Sequence, residues 1–577
     1  MKKLLSVLAA VLLAAGCTGV PTSSAPETVE PLGTEPASNI PPPPANLNAD
    51  PRTIVQSFLA ANATNSGNHN TARAYLTSKT SNRWSDDTAT IIANDYSVGL
   101  YDGVNHTVTV LGRVLGTLDA NGIYTPSLQN VGGGGDKIPF VFNVTRVRGQ
   151  YRIAKLRAGL LLNDQQFRAT YQQHVVYFYD VAENTLIPDL RWSALDDKAQ
   201  LAEWLIGQLA AGPRLSLQNA ASLDTLPAQT DVRQITVTLG NPTTIEIPGS
   251  SQLDSGVRDR LAAQLSQTLA EPLAGRDMSI TDGGTPVTIP HVAGDVFSAS
   301  DFANSTGPQA PASQLYYLSG GRVRDEAAKP LPGLLNQGDP LTSVALGRAS
   351  ADGPLLAAGV VGTGANARLV VGTQRAGLHS TGVQGVLTRP AFVPGQAEVW
   401  IGDGPRVYRV TVGEGRSRVF PVSIPAVSGG GQVIAVRLSP EGSRVAIVVS
   451  GAGGSTQLYI GSIVRGAGPV RIGGVEQVSP NGVVVHDVAW LDSVRLFAIG
   501  FFAGSQDART FETGVDGTEW TNEGLGNLPN PPDSVAAATG ANVWVSAGSN
   551  VWKQSGNSWV SPGPTGQTPG SAPVYLE

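Results

Sequence analysis

Val433-Ile434-Ala435-Val436-Arg437-Leu438-Ser439-Pro440-Glu441-Gly442-Ser443-Arg444-Val445-Ala446-Ile447-Val448-Val449 holds two short apolar runs on either side of a turn. The runs are rich in β-branched residues, which suit a pleated, half-buried surface, and Ser439–Ser443 supplies turn chemistry. The stretch therefore reads as two strands joined by a tight connection. Comparable turns recur at Asp352-Gly353, Pro394-Gly395, Leu491-Asp492 and Thr539-Gly540, each between two short apolar runs. Val485-His486-Asp487-Val488-Ala489-Trp490 leads into one of them, and Val494 to Ile499 follows it. The interval is about 45 residues, the length of one four-stranded propeller blade. Residues 310–577 are expected to form a β-propeller-like domain, and five or six blades fit the length. A pair of β-sandwiches is the structural alternative.

Upstream the pattern mixes the two periods. Val175, Tyr177, Tyr179 and Val181 alternate as in a strand. A helix is expected from about Asp197 to Ala211, with Leu201, Trp204, Leu205 and Leu209 on one face and Gly212-Pro213 ending it. Ile235, Val237 and Leu239 predict a strand, and Ile245-Glu246-Ile247 another. Asp254 or Ser255 can cap a helix carrying Val257, Leu261, Leu265 and Leu269. Ser279–Thr281 and Val287–Ile289 read as short closing strands. This segment, 173–295, resembles the GerMN domain. The resemblance rests on Val176-Tyr177-Phe178-Tyr179-Asp180 and Leu186-Ile187-Pro188-Asp189-Leu190-Arg191. It continues through Leu209-Ala210-Ala211-Gly212-Pro213 and Leu226-Pro227. It implies an extracytoplasmic recognition domain and supplies no catalytic residues.

Residues 50–172 are expected to form an earlier α+β unit. Asp50 is placed to cap a helix beginning at Pro51, whose apolar face is Ile54, Val55, Phe58 and Leu59. A second helical piece carries Ala72, Tyr75 and Leu76. Val108 and Val110 alternate with threonine, and Ile138, Phe140, Phe142 and Val144 repeat at period two, with Tyr151 and Ile153 continuing. Gly132–Gly135 read as a loop. Helices followed by a curved antiparallel sheet resemble an NTF2-like cone.

The chain starts with Met1-Lys2-Lys3, an apolar run from Leu4 to Ala15, and then Gly16-Cys17. These are the three parts of a secretory signal. As a helix the run reaches only about 18 Å, too short for about 30 Å of bilayer hydrocarbon. Cys17 is the sole cysteine of 577 residues, so no disulfide framework exists to claim it. Ala14-Ala15-Gly16-Cys17 resembles the lipobox of bacterial lipoproteins, with Ala14 where leucine is usual. The resemblance implies cleavage between Gly16 and Cys17, so that 1–16 is a signal peptide. It also implies N-acyl and S-diacylglycerol groups on Cys17. Residues 17–49, rich in Pro, Ser, Thr and Glu, form a linker that spans roughly 30 Å as a coil.

Chemistry is sparse. Charged residues make up 15% and net charge is −6, with no clustered Lys/Arg run, which argues against a nucleic-acid partner. His69, His106, His174, His291, His379 and His486 lack metal-ligand spacing. No nucleophile elbow or phosphate loop occurs, and Gly362-Thr363-Gly364 is a turn rather than a dinucleotide fingerprint. Asp86-Asp87 and Asp196-Asp197 are adjacent carboxylates that cannot face each other. Trp544, Trp552 and Trp559 read as blade packing in preference to a sugar platform. No catalytic residue, cofactor or metal is expected.

The fold class is thus multidomain, α+β and all-β: two α+β domains followed by a C-terminal β-propeller. The order of anchor, linker, NTF2-like domain, GerMN domain and propeller resembles the LpqB lipoproteins of actinobacteria over essentially the whole chain. That resemblance implies a lipoprotein held at the extracytoplasmic face of the cell membrane. It implies a partner, the extracytoplasmic part of a sensor histidine kinase such as MtrB of the MtrA–MtrB system, and a link to cell-wall homeostasis and division. The cell wall is a second expected contact. A wall glycan or peptide hydrolase and a passive wall-binding scaffold stand as alternatives.

Overall fold

Asp50 starts the first helix as its residue type predicts. Its carboxylate accepts from the backbone N–H groups of Arg52 (3.0 Å) and Thr53 (3.2 Å), and Pro51 opens helix α1 (Pro51–Ala61). The computed structural model describes residues 47–577 except 65–68, 129–135, 181–184, 223–224, 229, 308–313, 351, 426–430, 452–453, 467, 506, 523 and 564–567. The signal segment with Gly16 and Cys17, most of the linker, the Gly132–Gly135 loop and Val181 lie outside the described residues. Among those described, no helix is long and apolar enough to cross a membrane.

Ile54, Val55, Phe58 and Leu59 of α1 are buried against two four-stranded sheets. One runs Ser97–Asp102, Thr107–Gly112, Ile138–Val147, Gln150–Lys155. The other runs Tyr124–Pro126, Val114–Leu118, Ala89–Ile92, Leu160–Asn163. The second helical piece is shorter than expected: α2 covers Asn70–Ala74, and α3 is the single turn Ser78–Ser81. Tyr75 accepts a backbone bond from Ile153 (2.9 Å) and Leu76 bridges Ile153, so pairing with a strand takes these residues out of the helix. Helix α4 (Asp164–Thr170) begins in a reciprocal cap between Asn163 and Gln166.

The next strand, Gln172–Asp180, pairs antiparallel with Leu186–Ser193 and with Ala221–Ser222. Helices α5 (Lys198–Ala211) and α6 (Ser255–Leu269) pack on it. Beside them Thr243–Glu246 and Met278–Asp282 run parallel, flanked by Thr236–Thr238 and Thr285–Pro286. The residues buried with the helices are Val176, Phe178 and Tyr179, and Tyr177 packs half-buried against them. Val175 instead packs with Leu190 in a cluster shared with the propeller. Both faces of this strand are covered, so apolar alternation alone cannot say which face meets the helices. Leu239 lies beyond its strand and is exposed. Val287 and Ile289 are buried, but the strand there is Thr285–Pro286.

The remaining chain makes six sheets around a common axis. Five are consecutive four-stranded meanders: Leu341–Gly385, Ala391–Val422, Gln432–Gln477, Val483–Asn522 and Pro532–Val560, here blades 2 to 6. Blade 1 is composite. Leu315–Ser319 and Arg322–Asp325 supply two strands, and Ser571–Tyr575 returns to pair antiparallel with the first of them. The ring is thus closed by hydrogen bonds between its two ends. The first strand of each blade lies innermost, and in blade 1 that place belongs to Ser571–Tyr575. The innermost strands of blades 2, 4, 5 and 6 each carry one extra residue against the second strand: Thr342, Ile434, His486 and Asp533. Such bulges add twist and re-aim the side chains that follow.

The three modules belong to one compact unit, and a buried ionic junction joins them. Asp189 lies 2.8 Å from Arg191 Nη1 and accepts from the Arg214 backbone N–H at 2.9 Å, while Arg191 Nη2 donates to the Gly212 carbonyl at 2.9 Å. The Pro-Asp-Leu-Arg and Ala-Gly-Pro segments noted in the sequence therefore hold each other. Arg214 also donates to the Tyr124 carbonyl of the first module (2.8 Å) and lies 3.6 Å from Glu476 of blade 4.

Candidate functional site at the propeller channel

Each recurrent turn joins the innermost strand of a blade to the second strand. All five therefore gather at one end of the central channel, where a cavity of about 460 Å³ opens. Pro394, Gly395, Pro440 and Thr539 come from these turns and line it directly. Its walls are mainly apolar, with Ala345, Leu438, Ala489, Trp490, Ala536 and Val574 from different blades. Small alanines at the ends of the innermost strands leave the space that larger side chains would fill.

Charge is concentrated at the channel side of this cavity. Arg437 of blade 4 reaches Asp487 of blade 5 (Nη2 to Oδ1, 2.5 Å), and Trp490 Nε1 donates to the Arg437 carbonyl (3.2 Å). Arg389 of blade 3 spans the axis. It donates to the carbonyls of Pro573 (3.0 Å) and Val535 (2.8 Å) and approaches the other Asp487 oxygen at 3.5 Å. Asp487 also accepts from the backbone N–H groups of Val488 (2.9 Å) and Val535 (3.1 Å). The bulge at His486 sets the position of Asp487, while His486 itself is exposed with its ring 5.1 Å from that of Phe501. Glu577 accepts from the Phe392 backbone N–H. Burial pushes its carboxyl up to about 7, against the pull of that N–H and of Arg437 and Arg389. Burial lowers Arg389 to about 10, with Arg437 adding to the effect and Asp487 opposing it. Arg348 lines the cavity and donates to the Gly353 carbonyl at 2.7 Å.

The arrangement can desolvate an apolar group and present guanidinium donors to an anion. Among the described residues, no group of three His, Cys, Asp or Glu side chains could hold a metal ion. The histidines are dispersed: His69 pairs with Asp86 (2.8 Å), His106 with Tyr101 (2.8 Å) and His174 with Glu271 (3.3 Å). Asp86 is also bound by Arg73 at 3.0 Å, and Asp197 caps α5, so neither carboxylate pair acts as a pair. Trp544 and Trp559 are buried in blade packing and Trp552 packs beside Trp559. Arg389, Arg437, Asp487 and Glu577 were not singled out by sequence reasoning. For Arg389, Arg437 and Asp487 the available signal was a charge a few residues before a recurrent turn; Glu577 carried no such signal.

Two family models match the chain. One, described as the lipoprotein LpqB beta-propeller domain, covers residues 319–575, and the lipoprotein LpqB N-terminal domain covers 43–168. A Nocardia farcinica protein named lipoprotein LpqB is 29% identical over 93% of this chain and 91% of its own length. The chain belongs to the LpqB lipoprotein family. The LpqB of Rhodococcus jostii is also 29% identical, over 92% of this chain and 90% of its own. Both models and these relatives bear a lipoprotein's name, not an enzyme's. Among solved structures, TolB from Acinetobacter baumannii aligns with a TM-score of 0.33 at 14% identity, over 48% of this chain and 71% of that one, a likeness too distant to carry an argument. The LpqB propeller model spans the innermost strands of all six blades and stops just short of Glu577.

Proposed function

We propose that the chain is a non-catalytic accessory lipoprotein that binds the extracytoplasmic part of a sensor histidine kinase of the MtrB kind and biases its output. In this reading the chain is cleaved after Gly16, and N-acyl and S-diacylglycerol groups on Cys17 hold it at the outer face of the cell membrane. At least two acyl chains are what stable anchoring requires. The linker then carries a GerMN-type recognition domain and the propeller into the wall zone.

The observation that carries the reading is the junction at Arg214, where side-chain and backbone contacts tie all three modules together. A body so joined presents recognition surfaces in fixed relation. Confinement to one membrane face raises its effective concentration toward a membrane-bound partner, so a weak contact suffices. Kinase output shifts only when one kinase state is bound better than the other.

Cys17→Ala tests this. Loss of membrane retention or of signal processing, together with weakened kinase output, is expected. Unchanged retention and output would defeat the proposal. Crosslinking in cells from the propeller and middle-module surfaces is expected to capture the kinase; capture of wall polymer alone favours the scaffold reading.

A further inference from the structure

We propose that the mouth of the propeller channel is a binding site for a terminal carboxylate carried on a compact apolar body. The inference concerns a site independent of kinase binding and does not rest on that reading.

Size and wall chemistry come first. A cavity of about 460 Å³ falls within the range that encloses small ligands. Ala345, Ala489, Ala536 and Ala537, with Leu438 and Val574, give it walls that favour an apolar body.

Charge then selects the head group. Arg348, Arg389 and Arg437 line the cavity, set against Asp487 and Glu577. Asp487 is occupied by two arginines and two backbone N–H groups. Glu577 is held toward its neutral form near pH 7, so it cancels less than a full charge. The Arg348 side chain donates to the Gly353 carbonyl and, among the described residues, pairs with no carboxylate side chain, while its backbone N–H donates to the Glu577 main-chain oxygen at 3.0 Å. The Arg437 side chain is only 7% exposed, and its Nε has no hydrogen-bond partner. Buried donors of this kind are normally satisfied. A single carboxylate matches a guanidinium fork and neutralises the surplus. A multiply charged phosphate would leave charge buried against alanine walls.

Such a carboxylate can belong to a short fatty acid or to a peptide C-terminus. The test uses the purified full-length chain in nanodiscs, titrated calorimetrically with four probes. These are hexanoate, hexanamide, N-acetyl-leucyl-phenylalanine and the amide of that dipeptide. At least one acid is expected to bind saturably, and at least about tenfold more tightly than its amide. The acid that binds more tightly identifies the source. Arg348→Gln is expected to weaken binding about tenfold. Ala537→Trp, which fills the cavity without removing charge, is expected to abolish it. If Ala537→Trp lowers the melting temperature, Ala538→Leu serves as a milder filling variant. The proposal is overturned if neither acid saturates, if acid and amide bind equally, or if binding survives both the charge and the filling variants.

Discussion

Arg437 on the innermost strand of blade 4 and Asp487 on that of blade 5 meet at 2.5 Å, both side chains nearly buried. With Arg389 approaching the same carboxylate from blade 3, one aspartate ties three blades across the channel. Charges in such a place are costly to strand and modest in net value when paired.

Removing one partner should therefore be severe. Asp487→Ala leaves two buried guanidinium groups unpaired and is expected to cost about 3–5 kcal/mol in urea unfolding followed by tryptophan fluorescence. Replacing all three groups together, Arg389→Met, Arg437→Met and Asp487→Leu, should cost less than the single change. A triple variant worse than Asp487→Ala would show that the network contributes net stability.

Glu577 makes stability depend on pH in a definite direction. Its carboxyl is raised to about 7 by burial, so the fold favours the protonated form. The contribution is full below the ordinary glutamate range and is lost as pH rises through about 7. Melting temperature should fall over the interval from about pH 5 to about pH 7.5, and Glu577→Gln should flatten that slope. An unchanged slope in the variant would assign the dependence to other groups.

Trp192 Nε1 donates to Asp516 Oδ2 at 2.9 Å, linking the middle module to blade 5. Trp192→Phe keeps most of the ring but leaves a buried carboxylate oxygen short of a donor, at a cost of about 1–3 kcal/mol. Faster hydrogen exchange is expected in Ala508–Gly514 and in Leu186–Ser193. Exchange unchanged in both would mean that the link is not a stabilising one.

The closing strand is a further point of leverage. A chain ending at Gly570 lacks Ser571–Tyr575 and leaves the edge of Leu315–Ser319 unpaired. The propeller's unfolding transition is expected to move down by more than about 10 °C or to lose cooperativity in calorimetry. A transition that stays in place would mean that blade 1 closes by side-chain packing alone.

Much of the architecture was legible locally. Asp50 and Asp197 stand at helix starts and cap them through side chains a few residues from the backbone N–H donors they accept from. The recurrent turns, four of them bearing glycine, marked the same joint in five blades, because a turn's chemistry is set by its own four or five residues. Other features needed distant partners. The strand at Gln172–Asp180 was readable, but not which of its faces meets the helices, since the propeller covers the opposite one. The helix after Asn70 ended early because Tyr75 and Leu76 pair with Ile153.

By itself the amino-acid sequence determined the order of modules, the β-meander character of residues 310–577 and the absence of recognisable catalytic or metal motifs. It also marked Cys17 as the one residue suited to lipid attachment. Only the tertiary structure decided that there are six blades, that Ser571–Tyr575 completes the first, and that Arg389, Arg437, Asp487 and Glu577 converge beneath one cavity. The reason is range. Caps, turns and periodicity act over a few residues along the chain, whereas ring closure pairs Leu315 with Tyr575 and the buried ion pairs join Asp487 to arginines of other blades, through contacts that exist only once the core has formed.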